Sequence, residues 1–182
     1  MRKTYNPSER AIEAVRILNE FIGDFIVGTE GLKIYDLPSI EPRVSRRVAI
    51  GLNRMMMSYL VISLAKWDEF YRRYRAILPS DVRDACLSLQ NEIKSRGIID
   101  LRNKVVGHIL DDVTKRPLTA SEIDRLLDRV VNGSREDFLL WINNPADNTF
   151  PNSVIAITEH VRDRLRDEYR IGNNKEINEK SS

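Results

Sequence analysis

The residues of this chain that could do chemistry lie together in the segment 101–112, which reads Leu-Arg-Asn-Lys-Val-Val-Gly-His-Ile-Leu-Asp-Asp. His108 is one of only two histidines in the sequence, with Arg102 upstream of it and Asp111 downstream. A guanidinium provides a permanent positive charge for phosphate oxygens, and an imidazole exchanges protons near neutral pH. The pairing of these two groups predicts chemistry at a phosphate.

The spacing does not bring Arg102 and His108 to one face of a regular helix. At ~100° per residue, the two side chains would lie roughly 120° apart around the axis. Lys104 and Asp111 would instead be the helical neighbours of His108. A composite site therefore requires a bend near Gly97 that places Arg102 at the start of the helix, or a second subunit. The alternative is a solvated first turn in which His108 bonds only to Asp111 on the helix surface.

The composition indicates a soluble globular protein that is long enough for one domain. Its 182 residues are 42% hydrophobic and 31% charged, and the net charge of +2 is too small to argue by itself for nucleic-acid binding. The single cysteine, Cys86, excludes an intramolecular disulfide, and its apolar neighbours predict a buried, inert thiol. With two histidines and one cysteine there is no zinc pattern, so we predict no metal and no cofactor.

The apolar runs of the sequence predict a cytoplasmic protein without a membrane span. The first residues, Met-Arg-Lys-Thr-Tyr-Asn-Pro, lack the apolar core of a signal peptide. The densest apolar run, Met55–Trp67, contains Lys66 and falls short of the roughly 20 residues that a span needs. The tail from Gly172 is polar, so we expect one domain at 1–171 and an unstructured tail at 172–182.

Helical periodicity along nearly the whole sequence predicts an all-α bundle. Asn6-Pro7 should begin the first helix, whose buried stripe is Ile12, Val15, Leu18, Ile22, Phe25 and Ile26, and a loop is expected from Gly28 to Pro42. A second helix, from about Arg43 to Arg75, is apolar on so much of its circumference that it should lie in the middle of the bundle. Further helices are predicted at Pro79–Lys94, over Leu101–Asp112, behind the capping box Thr119–Glu122, at Glu136–Ile142 and from Pro151 to Tyr169.

Arginines cluster at both ends of the predicted second helix. Arg43, Arg46, Arg47 and Arg54 lie near its start, and Arg72, Arg73 and Arg75 at its end, interleaved with Tyr71 and Tyr74. The second cluster could hold an RNA backbone, and the alternative is a solvated helix end whose charges suit the helix dipole. The last helix alternates acidic and basic residues and indicates a solvated face on which His160 is exposed.

The run Arg102-Asn103-Lys-Val-Val-Gly-His108 resembles the Arg-x(4–6)-His motif of HEPN domains, including the asparagine that often follows the arginine. His108-Ile-Leu-Asp111 and the segment 118–124 are similar to the abortive-infection-type members of that superfamily. The resemblance covers residues 10 to 132, and Gly107 departs from it because many relatives carry alanine there. It implies a core of four to five helices with an additional C-terminal helix.

The resemblance also implies a chemistry and partners. HEPN ribonucleases cleave RNA without a metal, using the ribose 2′-hydroxyl as nucleophile and leaving a 2′,3′-cyclic phosphate. Carried over, His108 would transfer protons, Arg102 would stabilise the pentacoordinate phosphorane and Asn103 would orient the phosphate or Arg102. Helix geometry adds Lys104 as a phosphate contact and Asp111 as a partner of the imidazole. The expected function is a homodimeric endoribonuclease of a defence or toxin–antitoxin system, restrained by an antitoxin or regulatory protein.

Two other functions fit the same sequence. The first is a non-catalytic HEPN-like helical module that binds RNA, nucleotide or a partner protein. The second is a helical interaction protein with no link to RNA, in which the Arg-to-His spacing is coincidence.

Overall fold

A computed structural model describes residues 6–34, 44–106 and 116–172, which form helices joined by turns and contain no strand. Within these ranges the α-helices are α1 (Pro7–Ile34), α2 (Arg46–Tyr74), α3 (Arg83–Ser95), α4 (Ile98–Leu101), α5 (Ala120–Val131), α6 (Arg135–Ile142) and α7 (Val154–Tyr169). A 3-10 turn, Ser80–Val82, precedes α3, and a π-helical turn, Arg102–Val106, follows α4. The prediction of an all-α bundle is therefore confirmed.

The centre of the bundle is made by α1, α2 and α7, with α1 packed against both of the others. Phe21 of α1 meets Phe70 of α2 edge to face, with ring centroids 6.0 Å apart. Trp67 of α2 is fully buried, and its indole N–H donates to Thr158 Oγ1 of α7 at 3.2 Å. Burying one such side chain contributes about 1.5–3 kcal/mol, so these aromatic residues hold the three helices together.

Glycines inside α1 serve helix packing and do not end the helix. The loop predicted from Gly28 is wrong over its first residues, because α1 continues to Ile34. A Cβ at Gly28 would overlap Leu60 of α2, and one at Gly31 would lie 2.6 Å from the Met56 sulfur. Glycine costs about 1 kcal/mol in a helix interior, but here it permits close approach of α2. The rest of the predicted loop and Arg43 lie outside the described residues.

The two halves of α2 have different environments. Leu60, Leu64 and Trp67 in its C-terminal half are fully buried, whereas Val48 and Met55 in its N-terminal half are exposed. The prediction that the whole helix lies in the middle of the bundle is therefore wrong for the first half. The reason is that α1 ends soon after Gly31, which lies opposite Met56, so α1 does not extend over the earlier turns of α2.

By length and composition alone, α2 could cross a membrane. An 18-residue window within it has a mean hydropathy of 1.5, and 33% of that window is buried in the bundle. The core helix of a soluble bundle has the same composition. In this structure the C-terminal half of α2 is such a core helix.

Local signals set the ends of most helices. Thr119 Oγ1 accepts from the Glu122 backbone N–H, and the Glu122 carboxylate accepts from the Thr119 N–H at 2.8 Å, which confirms the predicted capping box. α7 begins at Val154, later than predicted, because Ser153 rather than Pro151 supplies the cap. Ile12 and Ile26 of α1 are exposed, since they lie roughly a quarter turn or more from the centre of its buried stripe.

Candidate phosphate-binding site

A glycine turn sets the position of Arg102. Gly97 has a φ of +68°, a left-handed conformation that favours glycine, and it ends α3 with its N–H bonded to Lys94 O at 3.0 Å. The short helix α4 follows, and its residues Ile98 and Leu101 are buried in the core. The bend expected at Gly97 is present. Because both ends of α4 are anchored, Arg102 emerges from the core at a fixed point on the surface.

Arg102 begins a π-helical turn that runs to Val106. In such a turn the hydrogen bonds join residues five apart, so the angle expected between Arg102 and His108 on a regular α-helix does not apply. Single π turns are rare, and they occur frequently at functional sites. Val105 in this turn is half-buried and lies against the first half of α2.

Two oxygen acceptors orient the Arg102 guanidinium. Its Nη1 donates to Asn103 Oδ1 at 3.0 Å, and its Nη2 donates to Glu69 Oε1 of α2 at 3.1 Å. The side chain remains 39% exposed. A guanidinium has five N–H donors, and Arg102 makes no other hydrogen bond with the described residues. It is thus oriented by its partners and still able to bind an oxyanion.

Of the other residues in the predicted motif, the structure describes Asn103 and Lys104 but not His108 and Asp111. Asn103 and Lys104 are exposed in the π turn. His108 and Asp111 lie outside the described residues, in the range 107–115. The contacts predicted between His108 and Lys104 and between His108 and Asp111 therefore stay predictions.

A buried carboxylate at the end of α2 holds two exposed cations. Asp68 accepts from the Gln90 side-chain amide of α3 at 2.8 Å. Arg72 Nη2 lies 2.9 Å from Asp68 Oδ2, and Lys94 Nζ lies 3.8 Å from Asp68 Oδ1. Arg72, one of the predicted RNA-binding residues, is therefore fixed on the side of α2 that faces α3.

Arg73 lies on a different side of α2, next to α1. Its Nη2 is 3.1 Å from Glu13 Oε1, and its guanidinium lies 5.3 Å from the centre of the Tyr74 ring. Tyr71 and Tyr74 are buried, and burial raises the pKa of Tyr74 to about 12. Both rings therefore pack in the core and are not exposed for stacking on bases. The RNA-binding role predicted for Arg72, Arg73 and Arg75 stays a prediction.

The remaining arginines of α2 are exposed. Arg75 is the C-cap residue, and it makes no ion pair within the described ranges. Arg46 and Arg47 lie in the first turn of the helix, and Arg54 lines a groove about two turns further along. The structure therefore separates the predicted arginine clusters into single residues on several faces.

An apolar groove separates the first half of α2 from α5. It has a volume of about 480 Å³, and its apolar lining includes Ile50, Met57, Val61, Val105, Ile123 and Leu127. The apolar residues of α5 are Ile123, Leu126, Leu127, Val130 and Val131. Three of them, Ile123, Leu127 and Val131, line this groove, and only Val130 is fully buried.

Cys86 and His160 take part in packing. Cys86 is buried, as predicted, and burial raises the pKa of its thiol to about 12. His160 is half-buried and stacks on Phe150 with ring centroids 4.2 Å apart, so the prediction of an exposed histidine is wrong. Within the part of the chain that the structure describes, no group of three His, Cys, Asp or Glu side chains could hold a metal ion.

Sequence reasoning missed Glu69 and Lys94. Both reach the candidate site from helices other than the one that carries the motif. In the sequence each is an ordinary charged residue on the polar side of an amphipathic helix. Only the packing of α2 against α3 and the π turn brings them close to Arg72 and Arg102.

Comparison with known proteins identifies a similar fold. No protein-family model matches the chain, and no curated protein matches it. Among solved structures, the integron cassette protein Vpc_cass2 from the mobile metagenome of V. paracholerae is similar, with a TM-score of 0.73 and 24% sequence identity. The match covers 86% of this chain and 96% of that protein. At this identity the similarity shows a shared helical fold.

Proposed function

We propose that this protein is a metal-independent endoribonuclease of the HEPN type, which acts in the cytoplasm as part of a defence or toxin–antitoxin system. The observation that carries the proposal is the environment of Arg102. Its guanidinium is half-exposed, oriented by Asn103 and Glu69, and lies in a π turn just before His108 in the sequence. A fixed guanidinium with unused donors suits the binding of a phosphate.

In the proposed reaction the ribose 2′-hydroxyl attacks the adjacent phosphorus. The O2′–P bond forms as the P–O5′ bond breaks, which leaves a 2′,3′-cyclic phosphate on one fragment and a 5′-hydroxyl on the other. His108 accepts the proton of the 2′-hydroxyl or supplies the proton that the leaving 5′-oxygen takes up. Arg102 binds the oxygens of the phosphorane, where charge accumulates. Asn103 keeps the guanidinium in place through its 3.0 Å hydrogen bond.

A homodimer is part of the proposal. The exposed apolar side chains Val48 and Met55, seven residues apart on one side of α2, support it, because exposed apolar surface commonly marks a protein–protein contact. A two-fold contact would place two copies of the motif in one assembly. An antitoxin or regulatory protein would then restrain the toxin by covering the site.

The second candidate function is a non-catalytic helical module. The apolar groove between α2 and α5 favours it, because grooves of this kind take the apolar face of a partner helix. In that case Arg102 would bind RNA, a nucleotide or an acidic partner without any cleavage.

Induced expression in a bacterial host tests the two candidates. Wild type is compared with His108→Ala and Arg102→Ala, and Arg16→Ala serves as a matched control because Arg16 is an exposed arginine paired with Glu20 on α1. The ribonuclease proposal predicts growth arrest and RNA with 2′,3′-cyclic phosphate ends for wild type and Arg16→Ala only. Normal growth and intact RNA in every strain, with soluble protein in each, would favour the non-catalytic module.

A further inference from the structure

We infer that Arg72 and Lys94 bind backbone phosphates of a single-stranded RNA next to the phosphate held at Arg102. This inference rests on the proposed function and extends the site from one cation to three. Arg72, Lys94 and Arg102 are called the basic strip below. The three residues come from α2, from α3 and from the π turn, and they meet at the C-terminal half of α2.

The buried carboxylate of Asp68 pairs with two members of the strip, Arg72 and Lys94. Its side chain is 4% exposed, while Arg72 and Lys94 are 59% and 50% exposed. Gln90 also donates to the Asp68 carboxylate, so this anion is fully occupied inside the protein. It holds the charged ends of the two side chains in place, and it lies below the surface at which a phosphate would bind. Each cation keeps donors directed to solvent.

Glu69 anchors the third member of the strip. Arg72 lies four residues after Asp68 and three residues after Glu69 on α2, so it is a helix neighbour of both carboxylates and connects the two ion pairs. Glu69 pairs with Arg102 at 3.1 Å on the surface, where a phosphate oxygen can replace it. The two carboxylates therefore pair with three cations, from α2, α3 and the π turn, at the C-terminal end of α2.

The chemistry of the site favours an RNA strand over a duplex. Attack of the 2′-oxygen in line with the P–O5′ bond requires a strand that can leave regular helical geometry. Phosphates next to the reacting one must then be held, because an unrestrained strand would seldom reach that alignment. Cations that contact the backbone do this without reading the bases.

Arg73 provides an internal contrast. It neighbours Arg72 in sequence and also forms an ion pair, but its partner is Glu13 of α1 and its guanidinium covers Tyr74. A substitution at either arginine removes one exposed, paired positive charge from the same helix turn. Only the substitution at Arg72 removes a member of the basic strip.

The test measures binding of a 2′-O-methyl oligoribonucleotide, which has no free 2′-hydroxyl and cannot be cleaved, to the full-length protein by fluorescence anisotropy. Arg72→Gln and Lys94→Gln are each expected to weaken binding about eightfold at about 50 mM salt and to reduce the salt slope by about 0.7, the value for one lost phosphate contact. Arg73→Gln should leave both quantities unchanged. Arg72→Lys should restore the slope, because it keeps the charge, and Lys94→Gln provides a second variant if Arg72→Gln does not fold.

The outcomes separate this inference from the proposed function. Equal binding by Arg72→Gln, Lys94→Gln and Arg73→Gln would overturn the basic strip, as would wild-type protein that binds no RNA. Cleavage of ordinary RNA is measured in parallel. Weakened binding in the strip variants, with no cleavage by wild type, would support the strip and contradict the ribonuclease. Cleavage by wild type with unchanged binding in the variants would contradict the strip alone.

Discussion

Arg96 and Arg102 lie on either side of the short helix α4, and the fold surrounds them differently. Arg96 donates to Glu92 through Nε and Nη2, at 3.0 and 2.8 Å, and to the carbonyls of Val130 and Val131 at 3.2 and 3.0 Å. Its guanidinium also stacks on the Trp141 ring at 4.2 Å. Arg96 thereby joins α3, α5 and α6, and four of its five donors are used within the protein.

Arg102 has fewer and more exposed partners. Both Asn103 and Glu69 lie at the surface, and the Arg102 side chain is itself partly exposed. Water or a phosphate can replace such partners at little cost, whereas the buried carbonyl of Val130 would be left without its bond from Arg96 Nη1. The comparison teaches that an arginine is available for binding when its partners are displaceable. The residue type and its position in the sequence do not reveal this.

The largest expected effect comes from Arg96→Ala. The buried carbonyl of Val130 and the part-buried carbonyl of Val131 would lose their bonds to the guanidinium, and Trp141 would lose its cation. The free energy of unfolding should therefore fall by about 3 kcal/mol. Urea unfolding followed by circular dichroism measures the change. A loss below about 1 kcal/mol, the range for an exposed ion pair, would remove the distinction between the two arginines.

Gly97→Ala tests the turn that separates the two regions. Gly97 has a left-handed conformation, and a Cβ at this position would lie 3.0 Å from the Arg129 side chain, so alanine should cost about 1–2 kcal/mol. Gly23→Ala is the matched control, because nothing lies within 4 Å of its position in α1. That substitution should stabilise the protein by roughly 0.5–1 kcal/mol. Equal changes in the free energy of unfolding for Gly97→Ala and Gly23→Ala would show that the turn at Gly97 accepts a side chain without strain.

Alkaline pH probes Cys86, which is buried in α3, the helix whose C-cap residue is Arg96. Burial raises the pKa of Cys86 to about 12 from its ordinary value of 9.0, so the folded protein retains a proton that the unfolded chain loses. The stabilisation is complete below pH 9.0, and the free energy of unfolding should fall by about 1.4 kcal/mol per pH unit above it. Urea unfolding at graded pH detects this slope. In Cys86→Ala the free energy of unfolding should not fall just above pH 9. The same slope in wild type and Cys86→Ala would contradict the raised pKa of Cys86.

Arg102→Ala should have the smallest effect on stability. Its ion pair with Glu69 is exposed on both sides, so its removal should change the free energy of unfolding by less than about 1 kcal/mol. The same urea experiment measures it beside Arg96→Ala. A loss as large as that of Arg96→Ala would make Arg102 a structural residue.

The sequence predicts a helix end correctly where that end is set by residues within one turn of it. Asn6-Pro7 begins α1, and the capping box at Thr119 begins α5, because both motifs bond to residues within one turn. The prediction of a loop at Gly28 is wrong because this glycine permits close packing against Leu60, a residue of another helix. The first half of α2 was misinterpreted because periodicity shows which face is apolar but not whether a partner covers it.

The candidate site was predictable only in part, for the same reason. Arg102 and Asn103 stand out because they belong to one short motif and bond to each other. Glu69 and Lys94 come from α2 and α3, and no pattern in the sequence relates them to that motif. Arg72 and Arg73 looked equivalent in the sequence, and the packing of α1 on one side and α3 on the other separates them.

The most direct test of the central claim compares purified wild-type protein with Arg102→Ala on single-stranded RNA in the presence of EDTA. The account predicts that wild type produces fragments with 2′,3′-cyclic phosphate ends. Removing one transition-state cation should slow cleavage by about 100-fold or more, with urea unfolding of the variant nearly unchanged. Cleavage by Arg102→Ala at the wild-type rate, or fragments that lack cyclic ends, would contradict the account.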